Sequence, residues 1–228
     1  MTPLVVVVPE KSVAPPFSRR AETPYGPAGT WREQGTLVWL QVAPGGDPRA
    51  VVVAAQEWNA RGLVCLVPAV ALSRLLRPGD WLVPDDYLDQ TRGGPTTFFE
   101  GEGRGYIPQV PAFDPDLRSA LIRALEDVVG PRHFDAGVLV GYTGPRVPTP
   151  AEARAWRLLG GDVAAPLALP LVYLARERDV PAAVLAFVER RAPQRPDLPV
   201  PPPLHLSWEP GATILKRAAD ALDGKGGG

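Results

Sequence analysis

Short apolar runs recur along the chain and are separated by polar or amphipathic stretches. Each run is far shorter than the roughly 20 residues that a membrane-spanning helix needs, and its length suits a buried strand. The runs are the one within Met1–Pro9, then Leu37–Val42, Leu63–Val67, Gly137–Tyr142, Asp162–Ala165 and Pro181–Val188. Amphipathic segments between them predict helices, and strands that alternate with helices predict a parallel α/β arrangement.

Capping residues mark where two of the helices begin. Asp114-Pro115 predicts a helix that Gly130 ends. Thr149–Glu152 has the spacing of a capping box with proline in the first turn, and this helix is closed by Gly160. Further helices are predicted at Val51–Arg61, at Leu169–Arg178 and at about residues 212–223.

Four segments show no periodicity. Residues 10–35, interrupted by proline and glycine, predict a loop. Residues 86–111 predict a second long loop, and a loop of that length usually serves binding or subunit contact. Residues 192–203 predict a proline-rich extended connector, and residues 224–228 predict a disordered tail. The 228 residues have the length of one α/β domain, so a single domain over 1–228 is predicted.

Composition excludes several classes of function. The formal net charge is −1, with 24 basic and 25 acidic residues, so no global field attracts nucleic acid or an anionic membrane. One cysteine and two histidines argue against a thiolate or histidine-rich metal site. We therefore expect neither a metal nor an organic cofactor. The N-terminal apolar run lacks the basic flank of a signal peptide, and we expect a soluble, cytoplasmic protein.

A series of short motifs occupies the middle of the chain in a fixed order. The motifs are Pro78-Gly-Asp80, Asp86–Thr91, Thr97-Phe-Phe99, Gly144-Pro-Arg146, Ala151-Glu152, Trp156-Arg157, Gly160–Val163 and Leu174–Glu177. In order and spacing they resemble the methylthioadenosine phosphorylase and purine nucleoside phosphorylase family. The similarity covers roughly residues 62–190.

The resemblance implies a single-domain α/β fold with a mixed, partly barrel-like sheet surrounded by helices. It also implies a trimer and reversible phosphorolysis of a purine nucleoside. That reaction needs donors for phosphate, contacts that hold the ribose as positive charge develops, and a hydrogen-bond partner for the leaving purine. Inorganic phosphate would be a co-substrate only if this activity is retained.

The positions that would make those contacts are changed. The family's glycine-rich phosphate loop follows the first strand, but the first glycine here is Gly26. Lys11 and Ser12 are the candidate side-chain substitute, with a solvated turn as the alternative. The other changed positions are the turn Ala43–Asp47 without an arginine-histidine pair, the apolar run Leu66–Leu72, Thr143 and Leu171 in place of glutamates, Val147 in place of phenylalanine, and Ala165–Leu167 in place of a methionine motif. Scaffold residues persist while ligand contacts do not.

Two candidate contacts follow strand ends. Glu189 is the candidate catalytic acid or base, because it comes after the strand whose end carries the purine contact in the resembling family. A surface ion pair with Arg190 or Arg191 is the alternative. Thr143 is a candidate contact for an anion at the junction of a strand and a helix.

The remaining candidates lie at that junction and on the long loop. Arg146 is a candidate anion contact, with an internal bracing role as the alternative. Thr97 and Phe98 are candidate ligand contacts on the loop, which in the resembling family approaches a neighbouring subunit. Contact within a trimer is the alternative for both.

Three functions are compatible with this pattern. The first is a homologue with lost or greatly reduced phosphorolysis that serves as a structural or regulatory subunit, alone or with an active paralogue. The second is an active pentosyltransferase or N-glycosidase with rebuilt contacts to a purine nucleoside or related N-glycoside. The third is a sensor that binds a nucleoside without turnover.

Overall fold

The computed structural model describes residues 2–9, 19–99, 105–200, 202–205 and 208–225. These residues form eleven strands and five helices. The strands are β1 (Leu4–Val8), β2 (Arg19–Thr23), β3 (Gly26–Gln34), β4 (Leu37–Val42), β5 (Gly62–Ala71), β6 (Trp81–Leu82), β7 (Asp86–Gln90), β8 (His133–Phe134), β9 (Val138–Tyr142), β10 (Val163–Ala165) and β11 (Ala182–Arg191). The helices are α1 (Pro48–Glu57), α2 (Pro115–Val129), α3 (Pro150–Leu158), α4 (Ala168–Glu177) and α5 (Trp208–Lys225).

All the described strands join one mixed sheet. Its main path runs β2-β3-β4-β1-β5-β10-β9-β7, and β11 pairs with β5 and β6, which in turn pairs with β8. β1 lies parallel to β4 and β5, whereas β10 is antiparallel to β5 and β3 is antiparallel to β4. The mixed sheet implied by the family resemblance is therefore confirmed, and the parallel arrangement predicted from element order holds for only part of it.

The apolar runs form the centre of the sheet because helices cover both of its faces. α2 and α5 pack on one face, where Leu121, Leu125, Ile214 and Leu215 are buried. α1 and α4 pack on the other face. Strands covered on both sides need apolar side chains at every position, which explains the unbroken runs of β1 and β5.

The predicted loop over residues 10–35 is wrong for its second part, which forms the hairpin of β2 and β3. Residues 10–18 lie outside the described residues. The sequence did not predict β2 and β3 because these strands contain little of the usual β-branched and apolar pattern. A Cβ on Gly29, whose φ is +146°, would lie 1.9 Å from the Gln41 carbonyl oxygen. Pairing with the exposed edge of β4, and not local propensity, therefore determines this hairpin.

Several boundaries also differ from the predicted ones. β7 takes up the first five residues of the predicted loop 86–111. β11 continues to Arg191, so Glu189 lies inside the strand and not after it. α1 begins at Pro48, because the Asp47 side chain accepts a hydrogen bond from the Arg49 backbone N–H at 2.9 Å. α5 extends beyond the predicted 212–223 and includes Gly224 and Lys225 of the predicted tail.

Candidate functional site

The neighbour of β5 changes halfway along the strand. β1 pairs with its first half up to Cys65, and β10 pairs with its second half from Val70 onward. Within the described part of the chain, Leu66–Ala69 has no ladder partner on this side. The register places the carboxyl ends of β1 and β10 at this gap, and crevices beyond such strand ends are common ligand sites in α/β sheets. We therefore take the gap as the candidate site.

The side chains along this gap are apolar. Leu66, Val67 and Ala69 are at most 1% exposed. Burying a phosphate dianion among such groups without donors costs several kcal/mol or more. The segment that follows β1, including the candidate donors Lys11 and Ser12, lies outside the described residues.

The turn after β10 has an unusual backbone. Leu167 adopts φ +83° and ψ −44° at the start of α4, where it makes no side-chain capping hydrogen bond. This conformation is costly for a residue with a Cβ, and such strained positions concentrate at binding sites. The adjacent Ala165 and Ala168 are fully buried and offer no polar group to a sugar hydroxyl.

Thr143 follows β9 and is engaged with the long loop. Its hydroxyl oxygen accepts a hydrogen bond from the Arg92 backbone N–H at 2.8 Å and lies 3.2 Å from the Arg92 carbonyl oxygen, to which it donates. Both hydrogen bonds of the Thr143 hydroxyl are therefore made to the protein backbone. Thr143 joins the loop to the end of β9, and the side chain is exposed.

Arg146 forms a brace with the first turn of α3. Its guanidinium donates to both carboxylate oxygens of Glu152, at 2.7 and 2.8 Å, and lies over the Tyr142 ring. The Tyr142 hydroxyl donates to the Arg146 carbonyl oxygen at 2.8 Å. The hydrogen bond from Arg146, and next the one from the Thr149 backbone, lower the pKa of Glu152 to about 2. The geometry agrees with the bracing alternative.

Thr97 makes a local contact within the long loop, whereas Phe98 is held by distant parts of the chain. The Thr97 hydroxyl accepts a hydrogen bond from the Phe99 backbone N–H at 3.0 Å. The Phe98 backbone N–H donates to the Glu177 carboxylate at 2.6 Å, and its ring packs edge-on against Tyr25. These contacts join the loop to the end of α4 and to the β2–β3 turn.

Glu189 lies near the end of β11 beside a β-bulge between Val188 and Arg190. Its carboxylate accepts a hydrogen bond from the Arg190 Nε at 2.9 Å, as the surface-pair alternative expected. Its charge acts on Tyr142, whose pKa is raised to about 12 mainly by burial. Glu189 is thus within electrostatic reach of Tyr142, whereas Phe98 contacts a different group of elements.

Sequence reasoning missed a cavity of about 200 Å³ in which four arginines converge. It lies between α3, the end of β5 and the end of β11. We call it the arginine pocket, and its charged lining residues are Arg74, Arg154, Arg157 and Arg191. The spacing of Arg154 and Arg157 on one helix was the available signal. The other two arginines reach the pocket through tertiary structure alone.

The residues that the structure describes contain no cluster of three or more histidine, cysteine, aspartate or glutamate side chains suited to a metal ion. None of the described helices has the length and apolar character required to cross a membrane.

Comparisons of the sequence with known proteins identify its family. A family model described as the phosphorylase superfamily matches residues 3–197. A probable S-methyl-5'-thioinosine phosphorylase from Methanopyrus kandleri is 38% identical over 133 residues, which are 58% of this chain and 51% of that protein. An S-methyl-5'-thioadenosine phosphorylase from Thermofilum pendens is 29% identical over 175 residues, covering 71% of this chain and 66% of that one.

Solved structures show the same fold over the whole chain. Methylthioadenosine phosphorylase from Schistosoma mansoni in complex with tubercidin superposes with a TM-score of 0.81 at 20% identity, covering 100% of this chain and 93% of the other. The alignments with the first curated relatives span only about half of their length. The chain belongs to the phosphorylase superfamily, and its relatives there are methylthioadenosine and purine nucleoside phosphorylases.

Proposed function

We propose that this chain is a member of its family with lost or greatly reduced phosphorolysis, acting as a structural or regulatory subunit. One observation carries the proposal: the strand segments that border the gap in the sheet, where a nucleoside and phosphate would meet, carry buried apolar side chains. Leu66 is buried on one face of the sheet, and Val67, Ala69, Ala165 and Ala168 are buried on the other.

The reaction needs charge stabilisation that these residues do not supply. Phosphorolysis brings a phosphate dianion to a ribose that develops positive charge, and then a purine leaves with electrons that must be neutralised. Each missing donor of this kind costs about 2–4 kcal/mol of transition-state stabilisation. Several such losses together would remove most of the rate enhancement, even though they are not additive.

The polar candidates near the strand ends support the same proposal. Arg146 donates a hydrogen bond to Glu152, Thr143 accepts one from the Arg92 backbone, and Glu189 accepts one from Arg190. A ligand would have to replace these internal partners, and each replacement offsets part of the binding free energy. These side chains contribute to the scaffold in the described state.

The test is an assay of the purified protein with methylthioadenosine, inosine, adenosine and guanosine, each with and without inorganic phosphate. Base release is followed by chromatography, with an active family member as positive control and heat-unfolded protein as blank. We expect no release above the blank and no thermal stabilisation by any of the four nucleosides. Release that depends on the folded protein would contradict the proposal.

The same assay separates the two alternative functions. Thermal stabilisation by a nucleoside without release would support a sensor. Release would support an active pentosyltransferase or N-glycosidase, for which the electrostatic action of Glu189 on Tyr142 is the favouring observation. In that event Glu189→Gln should lower the rate at least tenfold, whereas Glu126→Gln, on the exposed surface of α2, should leave it unchanged.

The proposed subunit role includes assembly. We propose a homotrimer, with association with an active paralogue as the further possibility, and a cytoplasmic location. Light scattering on the purified chain should give three times its mass of 24.4 kDa. A monomer at micromolar concentration would contradict the homotrimer.

A further inference from the structure

The arginine pocket gathers positive charge that the described part of the chain does not neutralise. Arg74, Arg154, Arg157 and Arg191 line it, and its other lining residues, which include Ser73 and Gln194, carry no acidic group. Among the described residues, none of these four guanidinium groups has an ion pair or a side-chain hydrogen bond, in contrast to Arg146. Arg74, Arg154 and Arg157 are exposed and Arg191 is half-buried, so solvent screens part of their mutual repulsion, and a bound anion would offset the rest.

We propose that the arginine pocket binds a small polyanion that carries at least two linked phosphate groups. The site is separate from the gap beside β5, because none of Leu66–Ala69, Ala165 and Ala168 lines it. None of the candidates Thr97, Phe98, Thr143, Arg146 and Glu189 lines it either. The proposal therefore does not depend on whether the protein acts on nucleosides.

The chemistry of the lining determines the class of ligand. A guanidinium presents paired N–H donors in a planar fork that matches two oxygens of a phosphate group, and it stays charged at all physiological pH values. Four such groups exceed what one phosphate dianion can neutralise. A diphosphate or triphosphate supplies three or more negative charges and enough oxygens for several forks.

The dimensions of the pocket suit such a ligand. A volume of about 200 Å³ equals the space of about seven liquid water molecules, since each water takes roughly 30 Å³. A phosphate group with a second one attached fits this space, whereas a complete nucleotide would extend into solvent. The pocket thus recognises the phosphates, whether they are free or belong to a nucleotide.

The backbone that presents the arginines is held in place. Arg191 pairs with Ala71 in the sheet, and the Leu72 and Ser73 backbone N–H groups both donate to the Asp162 carbonyl oxygen, at 2.8 and 2.9 Å. Arg154 and Arg157 lie three residues apart on α3, so they share one helix face. A rigid frame lowers the entropy cost of binding.

Isothermal titration calorimetry of the full chain tests the proposal with pyrophosphate, tripolyphosphate, ADP, orthophosphate and sulfate as probes. We expect pyrophosphate and tripolyphosphate to bind at least tenfold more tightly than orthophosphate or sulfate. Affinity should fall steeply as salt is raised, because the contacts are ionic. Equal binding of ADP and pyrophosphate would assign recognition to the diphosphate group, and tighter binding of ADP would identify a nucleotide as the source.

Variants locate the site. Arg154→Gln and Arg157→Gln should each weaken pyrophosphate binding at least tenfold, and Arg157→Lys should weaken it less because the charge is kept. Arg123→Gln, an exposed position on α2 away from the pocket, is the matched control and should change affinity less than twofold. Thermal unfolding checks that every variant is folded.

Three results would overturn the proposal. The first is that the folded protein binds no polyphosphate. The second is that the pocket variants bind pyrophosphate as tightly as the wild type does. The third is that the variants change the oligomeric mass although no anion binds. The last result would assign the arginines to an interface between copies of the chain.

Discussion

Glu152 shows how a single side chain near the candidate site serves the scaffold. It accepts two hydrogen bonds from Arg146 and one from the Thr149 backbone N–H at 2.8 Å, and the Thr149 hydroxyl in turn caps α3. This completes the capping box that the sequence predicted. The motif that most clearly marks the family thus has a structural explanation that is independent of catalysis.

Removing the charge of Glu152 should make the chain less stable in a pH-dependent way. The folded pKa of about 2 lies below the ordinary value of 4.5, so the charged group stabilises the fold above pH 4.5. That contribution is lost as the pH falls towards 2. We expect Glu152→Gln to lower the free energy of unfolding by about 0.5–1 kcal/mol at pH 7, since solvent screens a side chain that is about a third exposed.

Urea unfolding at several pH values between 7 and 3 measures this effect. The difference between wild type and Glu152→Gln should shrink below pH 4.5. Glu126→Gln replaces an exposed glutamate of α2 and should show no such trend. A difference that is constant with pH would argue against the ionic brace.

Element packing near the candidate site depends on a close approach of β9 to α4. Gly141, in β9, lies directly against Leu169, and a Cβ added there would lie 2.6 to 2.8 Å from three Leu169 side-chain atoms. Leu169 has a non-helical backbone within α4, with φ −105° and ψ 137°, and its side chain is buried. A larger residue at position 141 would therefore force Leu169 to move.

The substitution Gly141→Ala should destabilise the protein by about 1–3 kcal/mol through overpacking. Gly224→Ala provides a matched control, for which we expect a change in stability of the opposite sign. Gly224 lies in α5 with no atom within 4 Å of an added Cβ, so alanine should stabilise the helix by up to about 1 kcal/mol. Urea midpoints of the two variants give both values, and equal shifts in the same direction would refute this account of the packing.

At the scale of the whole molecule, the centre of the sheet is shielded from solvent on both faces. Cys65 lies in β5 between β1 and β11, and it is the one cysteine among the 228 residues. Burial raises the pKa of its thiol to about 12. Its reactivity therefore reports the opening of the core and not the state of the surface.

We expect the native protein to be inert to a thiol reagent at pH 8 over hours, and one thiol to react at once in 8 M urea. Under intermediate conditions the modification rate should follow the opening equilibrium of the core, which circular dichroism can monitor independently. Rapid labelling of the folded chain would mean that the β1–β5–β11 centre opens locally.

Particular elements show why parts of the fold were predictable. The runs that became β1, β5 and β11 are apolar at almost every position, and the caps of α2 and α3 are encoded within four residues. The hairpin of β2 and β3 was not predictable in this way, because it depends on an edge provided by β4. The extension of β11 to Arg191 likewise depends on β5, with which β11 pairs on both sides of the bulge at Glu189.

The sequence by itself determined the family and the replacement of the expected ligand contacts, because both are properties of residue identity and order. Tertiary structure alone decided that Leu66–Ala69 lies in a gap between strands and that candidate ligand groups are held by internal partners. It also decided that Arg74, Arg154 and Arg191, which are far apart in the chain, line one cavity. The physical reason is that contacts between distant segments follow from how the sheet and helices pack, and local patterns of residues do not encode that packing.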